Sequence, residues 1–137
     1  MSQTTIFAPL FTMVLLTFGI GMLMLRARIR AVRDGLNPGY FHFNRGARLP
    51  DELMKVSQHY ENLFELPLLF YVACLALYVT DSVDLSSLVM AWVYVASRLA
   101  HAYVHLGHNR LRSRRRVFLL GMAVLFSLWV KLMLAIY

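Results

Sequence analysis

Long apolar runs separated by short polar connections dominate the chain. The first run, from position 6 to position 25, contains no charged residue, and three further runs carry few charged residues. About 20 apolar residues are enough for an α-helix to cross the hydrocarbon core of a bilayer. The pattern therefore predicts an all-α integral membrane protein. The four predicted spans are about 6–28, 60–80, 85–107 and 117–136.

The connections predict how these spans are arranged. Only residues 81–84 separate the second span from the third, and helices joined so tightly must be antiparallel neighbours. The first helix has no breaker before about Val32, and Pro50 followed by Asp51 suits the start of the next helix. We therefore predict a single domain over residues 1–137, folded as an antiparallel four-helix bundle.

Composition and charge support a membrane protein. Of the 137 residues, 59% are hydrophobic and only 15% are charged, whereas a soluble domain carries roughly 25% charged residues. The net charge is +7, and most of the positive charge lies in the first and third connections. The positive-inside rule places these connections in the cytoplasm and both termini outside it. The arginines are accompanied neither by zinc-ligand spacing nor by an RNA-binding aromatic motif, so no metal and no nucleic-acid partner is expected.

Polar side chains inside the apolar runs are the candidate site. Asn62 and Glu65 stand at i and i+3 at the head of the second span, which puts them on one face of a continuous helix. An ionisable group inside a span is costly and by default indicates function. Pro67 follows closely, and it leaves a carbonyl one turn earlier without its usual donor.

The third span supplies a matching set. Arg98, His101 and His105 have i, i+3, i+7 spacing and share one helical face. At about 1.5 Å per residue, Glu65 lies roughly 22 Å from the outer turn and Arg98 roughly 20 Å from it. Their equal depth predicts a buried ion pair between Glu65 and Arg98. Such a pair either belongs to a functional site or only holds the two helices together.

These residues resemble the MAPEG family, the membrane-associated proteins in eicosanoid and glutathione metabolism. The resemblance rests on the Asn62-x-x-Glu65-x-Pro67 motif in the second span, on the Arg98-x-x-His101 motif in the third, and on an Arg-rich third connection. The number of spans and the chain length also fit. The segment Asn-Leu-Phe-Glu-Leu-Pro, residues 62–67, is similar to the sequences of the bacterial branch of the family. This resemblance implies a bacterial inner membrane.

The resemblance implies a homotrimer that binds glutathione between subunits, toward the cytoplasmic side. The matching ligand-binding positions on the second and third spans are Asn62, Glu65, Arg98, His101 and His105. The resemblance also implies Arg28 or Arg30 from the first helix, and Arg114 or Arg115 as the catalytic arginine.

The implied activity is that of a microsomal-type glutathione transferase or peroxidase acting on lipophilic electrophiles. The nucleophile is the thiolate, and a nearby arginine favours the thiolate by lowering the thiol pKa. Glu61, directly before Asn62, would repel a carboxylate ligand if it faced the same site. The alternative is a non-catalytic family member that binds membrane lipids, in which the same polar residues only hold helices together.

Overall fold

The computed structural model describes residues 2–43, 48–107 and 110–137, with only the backbone of Phe43. Within these ranges the regular secondary structure is entirely helical, and the chain begins with a 3-10 turn over Gln3–Ile6. The α-helices that follow are α1 (Phe7–Arg33), α2 (Tyr40–Phe43), α3 (Asp51–Asn62), α4 (Leu66–Val79), α5 (Leu85–Leu106) and α6 (Leu111–Ile136).

The helix ends at the first connection agree with the sequence-based prediction. α1 continues past its apolar run to Arg33, and α3 begins at Asp51 directly after Pro50. Asp51 and Glu52 lie in the first turn of α3, where their negative charge complements the helix dipole. Local breakers and charge are therefore enough to place these two ends.

The second predicted span is not one continuous helix, which corrects the prediction. α3 ends at Asn62 and α4 begins at Leu66, with Pro67 as the second residue of α4. Proline has no N–H, and its ring conflicts with the carbonyl four residues earlier. Between the helices, Leu63 N donates to Tyr60 O at 3.1 Å and Phe64 N to Glu61 O at 3.0 Å, which closes a tight turn. Asn62 and Glu65 therefore belong to different helices.

Three stretches are long and apolar enough to cross a membrane by length and composition, namely Gln3–Arg33, Asp51–Val79 and Leu111–Ile136. The third predicted span forms α5 with almost the predicted bounds, and its 22 residues are also long enough to cross. Arg98, His101 and His105 lower the hydropathy of α5, and all three are buried. Large apolar side chains on the outside of the helices are exposed, such as Leu15 of α1 and Leu85 of α5 at 70% each, as expected for surfaces that face lipid.

The helices pack around an apolar core. α5 makes its most extensive contact with α6, while α1 packs against α3, α4 and α5. In the middle of the core, the rings of Phe70 and Tyr94 stack with centroids 4.5 Å apart. We call the end where α1 ends and α6 begins the basic end. The opposite end carries the connection from α4 to α5.

Asp84 links two helices at that opposite end. It is the N-cap of α5, because Ser87 N donates to Asp84 Oδ1 at 2.8 Å and Asp84 N donates to Ser87 Oγ at 2.9 Å. Lys131 of α6 also donates from Nζ to Asp84 Oδ2 at 2.6 Å. The Lys131 ammonium and then the Ser87 N–H hold the pKa of Asp84 below its ordinary value. One carboxylate thus ties the start of α5 to α6.

Asp84→Ala is expected to lower the free energy of unfolding by about 1 kcal/mol, mainly through loss of the cap. Asp84→Asn is the control, since asparagine also caps helices well and the variant loses only the charge. Because the folded-state pKa is lowered, the ionic contribution is complete above about pH 4 and is lost as the pH falls through the lowered value. Thermal unfolding in detergent at neutral and acidic pH measures both effects. Equal midpoints for Asp84→Ala and the wild type would contradict this role.

Candidate functional site

A cavity of about 300 Å³ opens at the basic end, beside the break between α3 and α4. It is lined by Asn62, Glu65, His101, Leu111, Arg114, Arg115 and Phe118. Three separate parts of the chain meet here, namely the break, the inner half of α5 and the first turns of α6. We call this the site cavity. Five residues that the sequence singled out line it together.

The helix break places the first two of these residues. Asn62 is the half-buried last residue of α3, and Glu65 is the exposed N-cap of α4 with φ −92° and ψ −97°. The predicted common helical face does not form, yet both side chains line the same cavity. The carboxylate and the carboxamide thus face a shared space through the turn before Pro67.

The first turns of α6 place two arginines in the same cavity. α6 begins at Leu111, and its N-cap Arg110 makes no capping hydrogen bond through its side chain. Arg114 is half-buried and Arg115 is exposed. Cations near a helix N-terminus oppose the helix dipole, whereas an anion there is stabilised by both the N–H groups and the arginines. The chemistry of this wall therefore favours an anionic ligand.

Arg98 lies behind the cavity and is only 2% exposed. Its Nη2 donates to Phe118 O at 3.3 Å, and its guanidinium carbon lies 5.2 Å from the Tyr94 ring centroid and 5.3 Å from that of Phe118. The predicted Glu65–Arg98 ion pair is wrong for the single chain, since no ion pair joins these two described residues. The break leaves Glu65 exposed, while Tyr94 and Phe118 enclose the guanidinium.

Gly121 makes room for Arg98, and the sequence analysis missed it. A Cβ built on Gly121 would overlap Arg98 Nη2 and would lie 2.6 Å from Ser97 Oγ. α6 can therefore approach the guanidinium only because this position has no side chain. Arg98 in turn contacts Phe118, which lines the site cavity.

Three buried histidines pack together next to the cavity. The ring centroids are 5.4 Å apart for His59 and His101, 5.2 Å for His59 and His105, and 5.8 Å for His101 and His105. Of the three, only His101 lines the cavity. His59 was missed, although its place three residues before Asn62 could have indicated a shared face. No group of three or more His, Cys, Asp or Glu side chains in the described ranges could hold a metal ion.

Arg28 and Arg30 lie away from the site cavity. Arg28 stacks on Phe41 at 5.2 Å and lines a cavity of about 160 Å³ together with Glu61. Arg30 lines a third cavity, between α1 and α3. Within one chain, α1 therefore contributes no side chain to the site cavity. Glu61 lines the cavity of Arg28, so it is not placed to repel a ligand beside Asn62.

Gly121→Ala is expected to displace the Arg98 guanidinium and to destabilise the protein by about 1–3 kcal/mol, the usual cost of overpacking. Gly19→Ala is the matched control, because a Cβ at Gly19 meets nothing within 4 Å and alanine favours a helix. Thermal unfolding in detergent compares the two variants. If both unfold at the same temperature, the close approach at Gly121 is not required.

The chain was also compared with known proteins. No curated protein and no solved structure matches it. A model of the MAPEG family matches residues 6–134 of the 137. The match covers α1, the α3–α4 break, α5 and nearly all of α6, so it includes every residue of the site cavity. The chain is therefore a membrane protein that belongs to the MAPEG family, the membrane-associated proteins in eicosanoid and glutathione metabolism.

Proposed function

We propose that the protein is a membrane-bound, glutathione-dependent transferase or peroxidase that acts on lipophilic electrophiles. The observation that carries this proposal is the site cavity, where Asn62, Glu65, His101, Arg114 and Arg115 converge from three parts of the chain. Membership of a family associated with glutathione agrees with it.

The lining residues complement the groups of glutathione, a peptide with two carboxylates, one ammonium and one thiol. Arg115 suits a carboxylate, because a guanidinium binds carboxylates with two parallel hydrogen bonds. Glu65 suits the ammonium. Asn62 can donate to or accept from a peptide group. His101 adds a further hydrogen-bonding group at the inner wall of the cavity.

We propose that Arg114 is the residue that stabilises the glutathione thiolate. Arg114 is half-buried while Arg115 is exposed, and Arg114 lies within electrostatic range of His101 and His105. A guanidinium in a partly desolvated position stabilises an anion more strongly than one in water. The thiol proton would leave to water, and the thiolate sulfur would form a bond to the electrophilic carbon as the leaving group departs with the bonding electrons. Positioning and thiolate stabilisation would supply the rate enhancement.

The complete site would require neighbouring subunits. We propose that the four helical stretches cross the membrane as an antiparallel bundle and that three such bundles form a homotrimer. Neither Arg28 nor Arg30 reaches the site cavity of its own chain. Both arginines line other cavities of their own chain, and Arg28 is the better candidate to serve a neighbour's ligand, since its Nε is buried without a partner among the described residues.

The proposed topology places the basic end, and with it the site cavity, on the cytoplasmic side of a bacterial inner membrane. Both termini would then lie outside the cytoplasm. Glutathione would reach the cavity from water, and the electrophile would reach it through the lipid-facing surfaces of the helices.

Arg114→Gln is expected to lower kcat/KM for glutathione conjugation of a chlorodinitrobenzene by about 10²–10³-fold, the usual effect of removing one donor to a developing or bound anion. The loss should shrink as the pH rises, because the pKa of the bound thiol increases when the arginine is removed. Arg115→Gln should mainly raise KM for glutathione.

Arg112→Gln is the control for both variants, since Arg112 is exposed on the same helix and does not line the site cavity. Steady-state kinetics over a range of pH values separates the three cases. Wild-type protein that neither binds glutathione nor conjugates it in any detergent or lipid would favour the non-catalytic lipid-binding alternative.

A further inference from the structure

A second cavity at the basic end lies between α1 and α3, and its volume is about 480 Å³. It shares no lining residue with the site cavity. Its volume is within the range of pockets that hold small ligands. The proposed reaction assigns it no role, since it uses Arg28 rather than Arg30 as the arginine of α1.

The lining of this cavity changes from apolar to charged along α1. Leu23 lines the cavity next to the apolar run of α1, and Arg26, Arg30 and Asp34 line it on the successive turns that follow. From Leu23 to Asp34 a helix rises about 16 Å. The headgroup layer on each side of a bilayer is only about 5–7 Å thick. Since the uncharged run of α1 ends just before Arg26, the cavity extends from the edge of the hydrocarbon core through the headgroup layer.

Three cations (Arg26, Arg30 and Lys55) and two carboxylates (Asp34 and Glu52) line this cavity, so its net charge is +1. Lys55 Nζ lies 3.4 Å from Glu52 Oε1, so these two charges offset each other. Arg26 and Arg30 are both exposed, lie one helical turn apart, and form no ion pair with a described residue. Two like charges at i and i+4 destabilise a helix unless an anion lies between them.

We propose that this cavity binds the headgroup of an anionic phospholipid. Arg26 and Arg30 hold the phosphate oxygens through charge-assisted hydrogen bonds, and the glycerol end of the acyl chains lies against Leu23. A zwitterionic lipid is a poorer ligand, because Asp34 and Glu52 offset only two of the three cations and a quaternary ammonium would add to the remaining positive charge. Anionic lipids of the cytoplasmic leaflet attract basic residues at this depth.

Native mass spectrometry of the detergent-solubilised full-length protein tests the proposal with short-chain phosphatidylglycerol and with phosphatidylcholine of the same chain length. Phosphatidylglycerol should bind more tightly. Arg26→Gln/Arg30→Gln should weaken its binding about 30-fold, as expected for the loss of two basic residues near an anionic surface. The control Arg112→Gln/Arg116→Gln removes the same charge from exposed positions on α6 outside this cavity and should change binding less than threefold.

A third arm adds glycerol phosphate, which has the phosphate but no acyl chain, and which should not displace phosphatidylglycerol at matched concentrations. Equal affinity for the two lipids, or an equal loss in the control variant, would overturn the proposal. Displacement by glycerol phosphate would also overturn it and would indicate a site for a soluble anion. If the double variant does not fold, the two wild-type comparisons still decide the question. Glutathione titrations do not enter this test, so its outcome is separate from that of the conjugation assay.

Discussion

The burial of Arg98 is the constraint on which the rest of the structure depends. A guanidinium near the centre of a membrane helix costs roughly 2.5–3.5 kcal/mol on insertion scales, so it needs specific partners. Here the partners are the Phe118 carbonyl and the Tyr94 and Phe118 rings, in space that Gly121 leaves open. Arg98 lies in the interface between α5 and α6, which is the most extensive helix contact in the described structure. Because Phe118 also lines the site cavity, the interface between α5 and α6 forms one wall of the cavity.

Much of the fold follows from local signals in the sequence. Apolar length, turn residues and charge placed the end of α1, the start of α3 and the bounds of α5 within a residue or two. The partner of Arg98 could not be found in this way. Helical rise predicts a depth for Glu65 and Arg98 but not the direction of each side chain around its helix, and the break before Pro67 changed that direction for Glu65. The room left by Gly121 depends on packing between two helices, which no local pattern encodes.

The basic end serves two kinds of ligand in this account. The site cavity combines arginines with a carboxylate and a carboxamide, which suits a peptide that has two carboxylates and one ammonium. The cavity between α1 and α3 combines arginines with leucines, which suits a lipid headgroup. If both proposals hold, the excess of positive charge at this end binds ligands in addition to orienting the protein in the membrane. The two uses are carried by different arginines, Arg114 and Arg115 in one case and Arg26 and Arg30 in the other.

The central claim is that the site cavity holds glutathione, and a thermal-shift titration of the purified protein with glutathione tests it most directly. A ligand that binds only the folded state stabilises it by about 2.7 kcal/mol at a concentration 100 times its Kd. The account predicts a saturable rise in the unfolding temperature that Glu65→Gln and Arg115→Gln weaken and Arg112→Gln leaves intact. An unfolding temperature that does not change at any glutathione concentration, in detergent and in lipid alike, would contradict it.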